Sequence, residues 1–169
     1  MFSKEYSLFK EYSFFVIIKI EVFFMKISIA CDHGGYELKK IVKEWLENNG
    51  HEVIDFGTNS LDSCDYPDFG RPAAEAVRDK LVDRGIVICT TGIGMSIVAN
   101  KVKGVRCALV SNTEGASLTR KHNDTNCLAL GAKFTAPSLA IEIVKIWLST
   151  EFEGGRHQRR VDKIMDIEK

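Results

Sequence analysis

Three stretches of this chain hold residues whose types and spacing could do chemistry. VICTTGIGMSIVANK, from Val87 to Lys101, ends an apolar run in the thiol of Cys89 and follows it with a turn bearing Gly92 and Gly94. Glycines allow close backbone approach, and free amides at a helix start point toward an anion. Thr91 adds a hydroxyl donor, so the loop suits a small anion or a developing oxyanion. It is neither G-x-G-x-x-G nor a Walker loop, which speaks against a nucleotide. A thiol beside the positive end of a helix is favoured as thiolate and could serve as base or nucleophile. Cys89 has a second reading, as one more cysteine packed in a buried strand.

CDHGG supplies Asp32 and His33 at the end of another apolar run. The two side chains leave the backbone on different sides and need not pair with each other. The imidazole of His33 is either structural or a ligand contact. TRKHNDTN places His122 and Asn123 where a helix would end. They are either capping groups or, respectively, a proton carrier and a donor to an oxyanion. GGRHQRR sets Arg156 and Arg160 four apart, on one face of a helix. Two guanidinium forks side by side fit a phosphate; a solvated basic face is the other reading.

The elements that must position these groups alternate between strand and helix. Strands are expected at Lys26–Ala30, His51–Phe56, Ile86–Cys89, Val105–Val110 and Cys127–Gly131. Apolar residues recur at helical spacing from Leu38 to Leu46, ahead of Gly50 at the C-terminal cap. Further helices are expected over about Arg71–Arg84, Met95–Lys101, Thr113–His122 and Pro137–Trp147, with a short charged helix at the end. Five strands separated by helices imply an α/β fold: a three-layer αβα sandwich around a five-stranded parallel sheet, Rossmann-like. Right-handed crossovers favour the strand order 2-1-3-4-5. Strands one and three are then neighbours where the winding reverses. Ligands of open α/β sheets bind at such a switch point, so the Asp32–His33 and Cys89–Gly94 loops should meet there.

Composition sets the outer limits. The chain has 169 residues, 45% hydrophobic and 27% charged, as expected of one globular domain. Lys plus Arg and Asp plus Glu each total 23, so the net charge is zero. No global basic field exists to recruit nucleic acid or an anionic membrane, and anion binding must be local. Five cysteines, Cys31, Cys64, Cys89, Cys107 and Cys127, form no CxxC pair and match no zinc spacing. A reducing cytoplasm fits them, and Cys31, Cys107 and Cys127 read as small core hydrophobes. Residues 1–24 stand apart. Their apolar part is broken by Lys19 and Glu21, too short and too charged to span a bilayer, and no signal-peptide cleavage site follows. They read either as a segment packed on the domain or as the product of an upstream start codon wrongly chosen, with the domain running over 25–169.

CDHGGYELK, DYPDF, CTTGIGMSIVANKVKGVRCAL, HNDTNCLALGAK and EGGRHQRR, in this order, closely resemble the type B ribose-5-phosphate isomerases, within a wider group that includes galactose-6-phosphate and allose-6-phosphate isomerases. The similarity runs from Met25 to about Lys163. It implies an aldose–ketose isomerisation through a cis-enediolate, without metal or other cofactor. By this resemblance Cys89 is the base that moves a proton between C2 and C1, and His122 is the acid/base that opens the furanose ring. Thr91, with Thr90, Gly92, Ile93, Gly94 and Asn123, cradles the enediolate and contacts the substrate. Asp32, His33 and, from DYPDF, Tyr66 are further substrate contacts. Arg156 and Arg160 clamp the phosphate together with Lys133, which stands where many relatives have arginine; lysine keeps the charge but loses the bidentate fork. Met95 at the end of the loop, where a second branch of the family has glutamate, puts this chain with the cysteine branch. The resemblance further implies a homodimer, or a dimer of dimers, with each site shared between subunits. The substrate would be ribose 5-phosphate and its ketose; allose 6-phosphate or galactose 6-phosphate, and a phosphosugar-binding protein without catalysis, are the alternatives.

Overall fold

Strands β1 (Lys26–Cys31), β3 (Arg84–Cys89) and β5 (Cys127–Gly131) are nearly continuous apolar runs. Such runs can be buried on both faces, as the middle of a parallel sheet requires. In the computed structural model, which describes residues 24–169, they form its centre, with β2 (Glu52–Asp55) and β4 (Cys107–Leu109) at the edges. All pairings are parallel. The expectations for residues 1–23 lie outside the described residues.

Between the strands run α1 (Tyr36–Asn48), α2 (Pro67–Arg78), α3 (Ile93–Ala99), α4 (Thr113–Asn123) and α5 (Pro137–Ser149), and α6 (Arg156–Asp166) follows. Helix α2 starts and ends earlier than the expected Arg71–Arg84. Pro67 fits the first turn, where its missing amide leaves no bond unmade, and Lys80 turns left-handed at φ 56°. Arg84 is then free to open β3.

The sheet order is β2-β1-β3-β5-β4. The α/β class and the β1–β3 neighbourhood are as expected, but the last two strands are exchanged relative to 2-1-3-4-5. The reason lies in which face each helix covers. Leu38, Val42 and Leu46 of α1, Ala116 of α4 and Ile143, Val144 and Trp147 of α5 form one core with Ile27, Ile29, Ile86, Ile88, Leu128 and Leu130. Ala73, Ala74 and Val77 of α2 and Met95 and Ala99 of α3 form the other, with Ala30, Val87, Cys89 and Ala129. A right-handed crossover through α3 steps outward from β3. One through α4, on the opposite face, must step back. So β5 is inserted between β3 and β4. Burial agrees, since β5 is wholly buried while β4 is partly exposed.

Edge strand β4 is shorter than the expected Val105–Val110. The Asn100 side chain pairs with its outer backbone, donating to the Cys107 carbonyl at 2.8 Å and accepting from the Cys107 amide at 2.9 Å. A side-chain amide thus blunts a free strand edge. Cys31 and Cys127 are fully buried and Cys107 is half-buried, and all five cysteines are free thiols.

Candidate functional site

The loops after β1, β3 and β5 converge at the carboxyl ends of the strands. After β3 the chain turns at Gly92, whose φ of 77° favours glycine. A Cβ there would lie 2.9 Å from the Leu130 carbonyl carbon and run into the Leu109 side chain. The turn folds the Gly92 amide back so that it donates to Cys89 Sγ at 3.1 Å. Cys89 is 6% exposed and belongs to the core under α2 and α3. The thiol is thus packed as the core reading expects, and its sulfur accepts from a backbone amide at the mouth of the loop. The Ile93 amide donates to Thr91 Oγ1 at 3.3 Å, so Thr91 pins the start of α3.

The neighbouring loops lace this turn in place. The amides of Ala132 and Lys133 donate to the carbonyls of Cys89 and Thr90, each at 2.9 Å, which brings exposed Lys133 to the rim. The Tyr66 ring lies over Gly94, where a Cβ would come within 2.8 Å of Cζ. Gly34, next to His33, lies against the Thr90 side chain. Asp32, His33, Tyr66, Lys133 and the run from Thr90 through Ile93 to Gly94 thus share one rim with Cys89.

Within that rim, Asp32 is 6% exposed and accepts from the Gly35 amide at 3.0 Å, capping the turn that carries His33. Its carboxylate is thereby part of the scaffold. His33 Nδ1 accepts from the Cys64 amide at 3.2 Å. This bond requires an unprotonated Nδ1, so the neutral ring carries its proton on Nε2, the nitrogen left to act as donor. Behind it, burial pushes the Cys31 thiol up to about 12 despite the buried Lys39 ammonium beside it, so Cys31 stays protonated.

The other expected site residues are elsewhere. Helix α4 begins beyond the carboxyl end of β4 and runs back, so His122 and Asn123 at its C-terminal end sit at the amino ends of the strands. Arg106, which leads into β4, donates to the Asn123 carbonyl at 3.0 Å. Asn126 accepts from the amide of Gly85, near the start of β3, at 3.0 Å. Gly85 and Cys89 are separated by ~13 Å of strand. At this lower end Glu153 and α6 close over α4, and the Glu153 amide donates to the Lys121 carbonyl at 3.1 Å. Arg156 and Arg160 begin α6, both exposed. A single chain therefore places Cys89, Thr91, Asp32, His33, Tyr66 and Lys133 at one end of the sheet, and His122, Asn123, Arg156 and Arg160 at the other.

One residue of the lower group has no counterpart among the expected site residues. His157 is 6% exposed and stacks on His122, with ring centroids 4.3 Å apart and planes 6° from parallel. Burial, then the neighbouring His122 and Arg156, hold its imidazole below the usual histidine range. Its position between two arginines of GGRHQRR hides it in the sequence, and only its contact with α4 distinguishes it. His122, Glu153 and His157 bring potential metal-ligating atoms within 4.8 Å of one another. The face-to-face rings, however, keep their in-plane lone pairs in two separate, nearly parallel planes, a poor arrangement for gripping one ion between them.

Residues 27–164 match the family model described as Ribose/Galactose Isomerase. The chain is 48% identical over 143 residues to ribose-5-phosphate isomerase B of Escherichia coli, covering 85% of this chain and 96% of that one. Its fold is similar to the solved ribose-5-phosphate isomerase B of Clostridium thermocellum, with a TM-score of 0.84, 55% identity, and coverage of 85% and 97%. It is also similar to the Mycoplasma genitalium enzyme solved with bound ribulose-5-phosphate, with a TM-score of 0.81, 47% identity, and coverage of 85% and 95%.

Proposed function

The chain belongs to the ribose/galactose isomerase family, and from that premise we propose that it interconverts ribose 5-phosphate and ribulose 5-phosphate by proton transfer. The observation that carries this reading is the ribulose-5-phosphate held by a relative with which the chain shares 47% identity over 85% of its length. The Cys89 loop supplies the matching chemistry: a sulfur facing an amide donor, beside a turn with free amides at a helix start.

In this mechanism His122 exchanges protons with the sugar as the furanose C1–O4 bond breaks. O1 loses its proton, O4 gains one, and an aldehyde is left at C1. The Cys89 thiolate takes the C2 proton. The electron pair moves to O1, and amides of the Thr90–Gly94 loop stabilise the resulting enediolate. The O2 proton passes to O1, and the thiol returns its proton to C1, leaving the ketone at C2. Atoms and charges balance without an external reductant or oxidant. One base suffices, because C1 and C2 are adjacent. Asp32, whose Oδ1 caps the turn, contacts the sugar together with His33 and Tyr66. Arg156, Arg160 and Lys133 bind the phosphate.

Because Cys89 and His122 lie at opposite ends of one sheet, the working site is formed by two copies of the chain, each giving its upper rim to the other's lower group. Ile93, Ile97, Leu109 and Phe134, between 45% and 62% exposed, leave an apolar surface around the upper rim for a second copy to cover. We take the unit as a homodimer, with a dimer of dimers compatible with it, acting in the cytoplasm. Among the described residues no helix is long and apolar enough to cross a membrane. Residues 25–169 form the isomerase domain on this reading, and residues 1–24 lie outside it.

A panel of five- and six-carbon aldose phosphates, assayed on purified protein, tests the assignment. Ribose 5-phosphate is expected to give the highest kcat/KM. A six-carbon aldose phosphate ahead by more than about tenfold, a preference of ~1.4 kcal/mol, would overturn the substrate and keep the mechanism.

A further inference from the structure

We propose that His157 is a positioning residue for ring opening: its imidazole, oriented by Arg156, is the platform on which His122 stacks and is aimed at the furanose oxygens. The inference rests on the reading of His122 as the ring-opening group.

Three observations carry it. First, the rings of His122 and His157 are parallel within 6° at 4.3 Å between centroids, in contact over their faces. His122 lies in the last turn of α4 and is half-buried, so its own helix gives it little support against rotation about χ1 and χ2. The face of a buried neighbouring ring removes that freedom. Second, Arg156 Nε donates to His157 Nε2 at 3.3 Å. That bond makes Nε2 an acceptor, places the neutral ring's proton on Nδ1 and fixes the plane of the platform. Third, Arg156 belongs to the proposed phosphate clamp. A phosphate drawn to Arg156 thus touches the residue that sets the His157 plane, and through it the His122 plane.

The charged and titratable groups around His157 fit a neutral platform. From α4 it faces His122; from α6, Arg156 and Arg160. Glu153, from the segment before α6, is the one anion close by among the described residues, at 3.7 Å. Two stacked imidazoles disfavour a second positive charge, and Arg156 opposes it further. His122 can therefore trade its proton with the sugar without competition from a protonated His157.

The test separates ring opening from carbon chemistry. Conversion of ribose 5-phosphate requires both. Washout of C1 hydrogen from ribulose 5-phosphate in D2O, followed by NMR, requires only the Cys89 step, because this ketose has no free hydroxyl with which to close a furanose. His157→Ala is expected to lower kcat for ribose 5-phosphate by ~10- to 100-fold, the cost of a misplaced group, with KM little changed. Washout should stay close to that of the native protein. His157→Phe, which keeps a ring and loses the nitrogens, should recover most of the lost kcat. Unchanged turnover in His157→Ala overturns the proposal. So does a parallel fall in washout, which would mark a general structural role, or a His157→Phe variant as impaired as the alanine. His122→Asn is the reference. If it retains native turnover, the reading of His122 fails and this inference with it; if it is impaired while His157→Ala is not, only the inference fails.

Discussion

Cys89 and His122 of one chain lie at opposite ends of the same sheet, Cys89 closing β3 at its carboxyl end and His122 in the last turn of α4 beside the strands' amino ends. A site that uses both must draw them from two chains. This relationship can be tested by complementation. Cys89→Ala and His122→Asn proteins are each expected to be nearly inactive. Unfolded together and refolded, random pairing makes half of the dimers mixed, each with one intact site. About a quarter of native activity should return. No recovery, with mixed dimers demonstrated by native mass spectrometry, would place both residues in a site within one chain.

The role proposed for Cys89 predicts a specific kinetic pattern. Cys89→Ser should lower kcat by ~10²- to 10⁴-fold, the range for a lost acid–base group, with KM changed far less. Steady-state kinetics with ribose 5-phosphate measures this, and D2O washout from ribulose 5-phosphate should fall by the same factor. A variant that keeps native washout would show that another group moves the proton.

Gly92 holds the amide that faces the Cys89 sulfur, at a φ of 77°. Gly92→Ala should cost ~1–3 kcal/mol in backbone strain alone, and its Cβ has no room beside Leu109 and Leu130. Denaturant titration should show the loss of stability. Activity should fall beyond what unfolding explains, because the turn carries the proposed base.

Trp147 is fully buried in the core beneath α1, α4 and α5, and its Nε1 donates to Thr125 Oγ1 at 2.9 Å. Trp147→Ala should destabilise the fold by ~3–5 kcal/mol. Calorimetry should register a drop in Tm of roughly 10 °C for a chain of this size. Trp147→Phe retains most of the volume but not the hydrogen bond, and should lose much less.

Cys31 links stability to alkaline pH. Burial raises its folded-state value from 9.0 to about 12. Below about 9 both folded and unfolded chains hold the proton, and the contribution is unchanged. Above it the unfolded chain releases the proton while the folded chain keeps it, so stability falls as pH rises toward 12. Urea midpoints at pH 8 and pH 10.5 should differ more in the native protein than in Cys31→Ala, which lacks this titration and leaves the other alkaline groups in place. Equal differences would remove Cys31 as the cause.

Much of the candidate site is legible in the sequence. Gly92 and Gly94 after an apolar run ending in Cys89 announced a turn at a strand's carboxyl end, and Gly92 takes the positive φ that few other residues tolerate. The position of Asp32–His33 beside it followed from the β1–β3 switch point. The spacing of Arg156 and Arg160 placed them on one helical face. Asp32 was legible as a member of that loop, but its bond to the Gly35 amide, which caps the turn carrying His33, was not. His157 could not be singled out, since nothing local separates it from the arginines around it.

The order of β4 and β5 was hidden for a different reason. It depends on which face of the sheet α4 covers, and α4 buries little, with Ala116 and Arg120 its only buried residues. A short amphipathic stripe says that a helix packs, not on which side. By itself the sequence determined the alternation of strands and helices, the turn chemistry of the Cys89 loop and the charge of the arginine pair, because these depend on residues near one another in the chain. The separation of Cys89 from His122, the stacking of His157 on His122 and the exchange of β4 with β5 were decided only by the tertiary structure. Each is a relation between segments brought together by burial, and the backbone's local preferences are the same whichever partner the burial supplies.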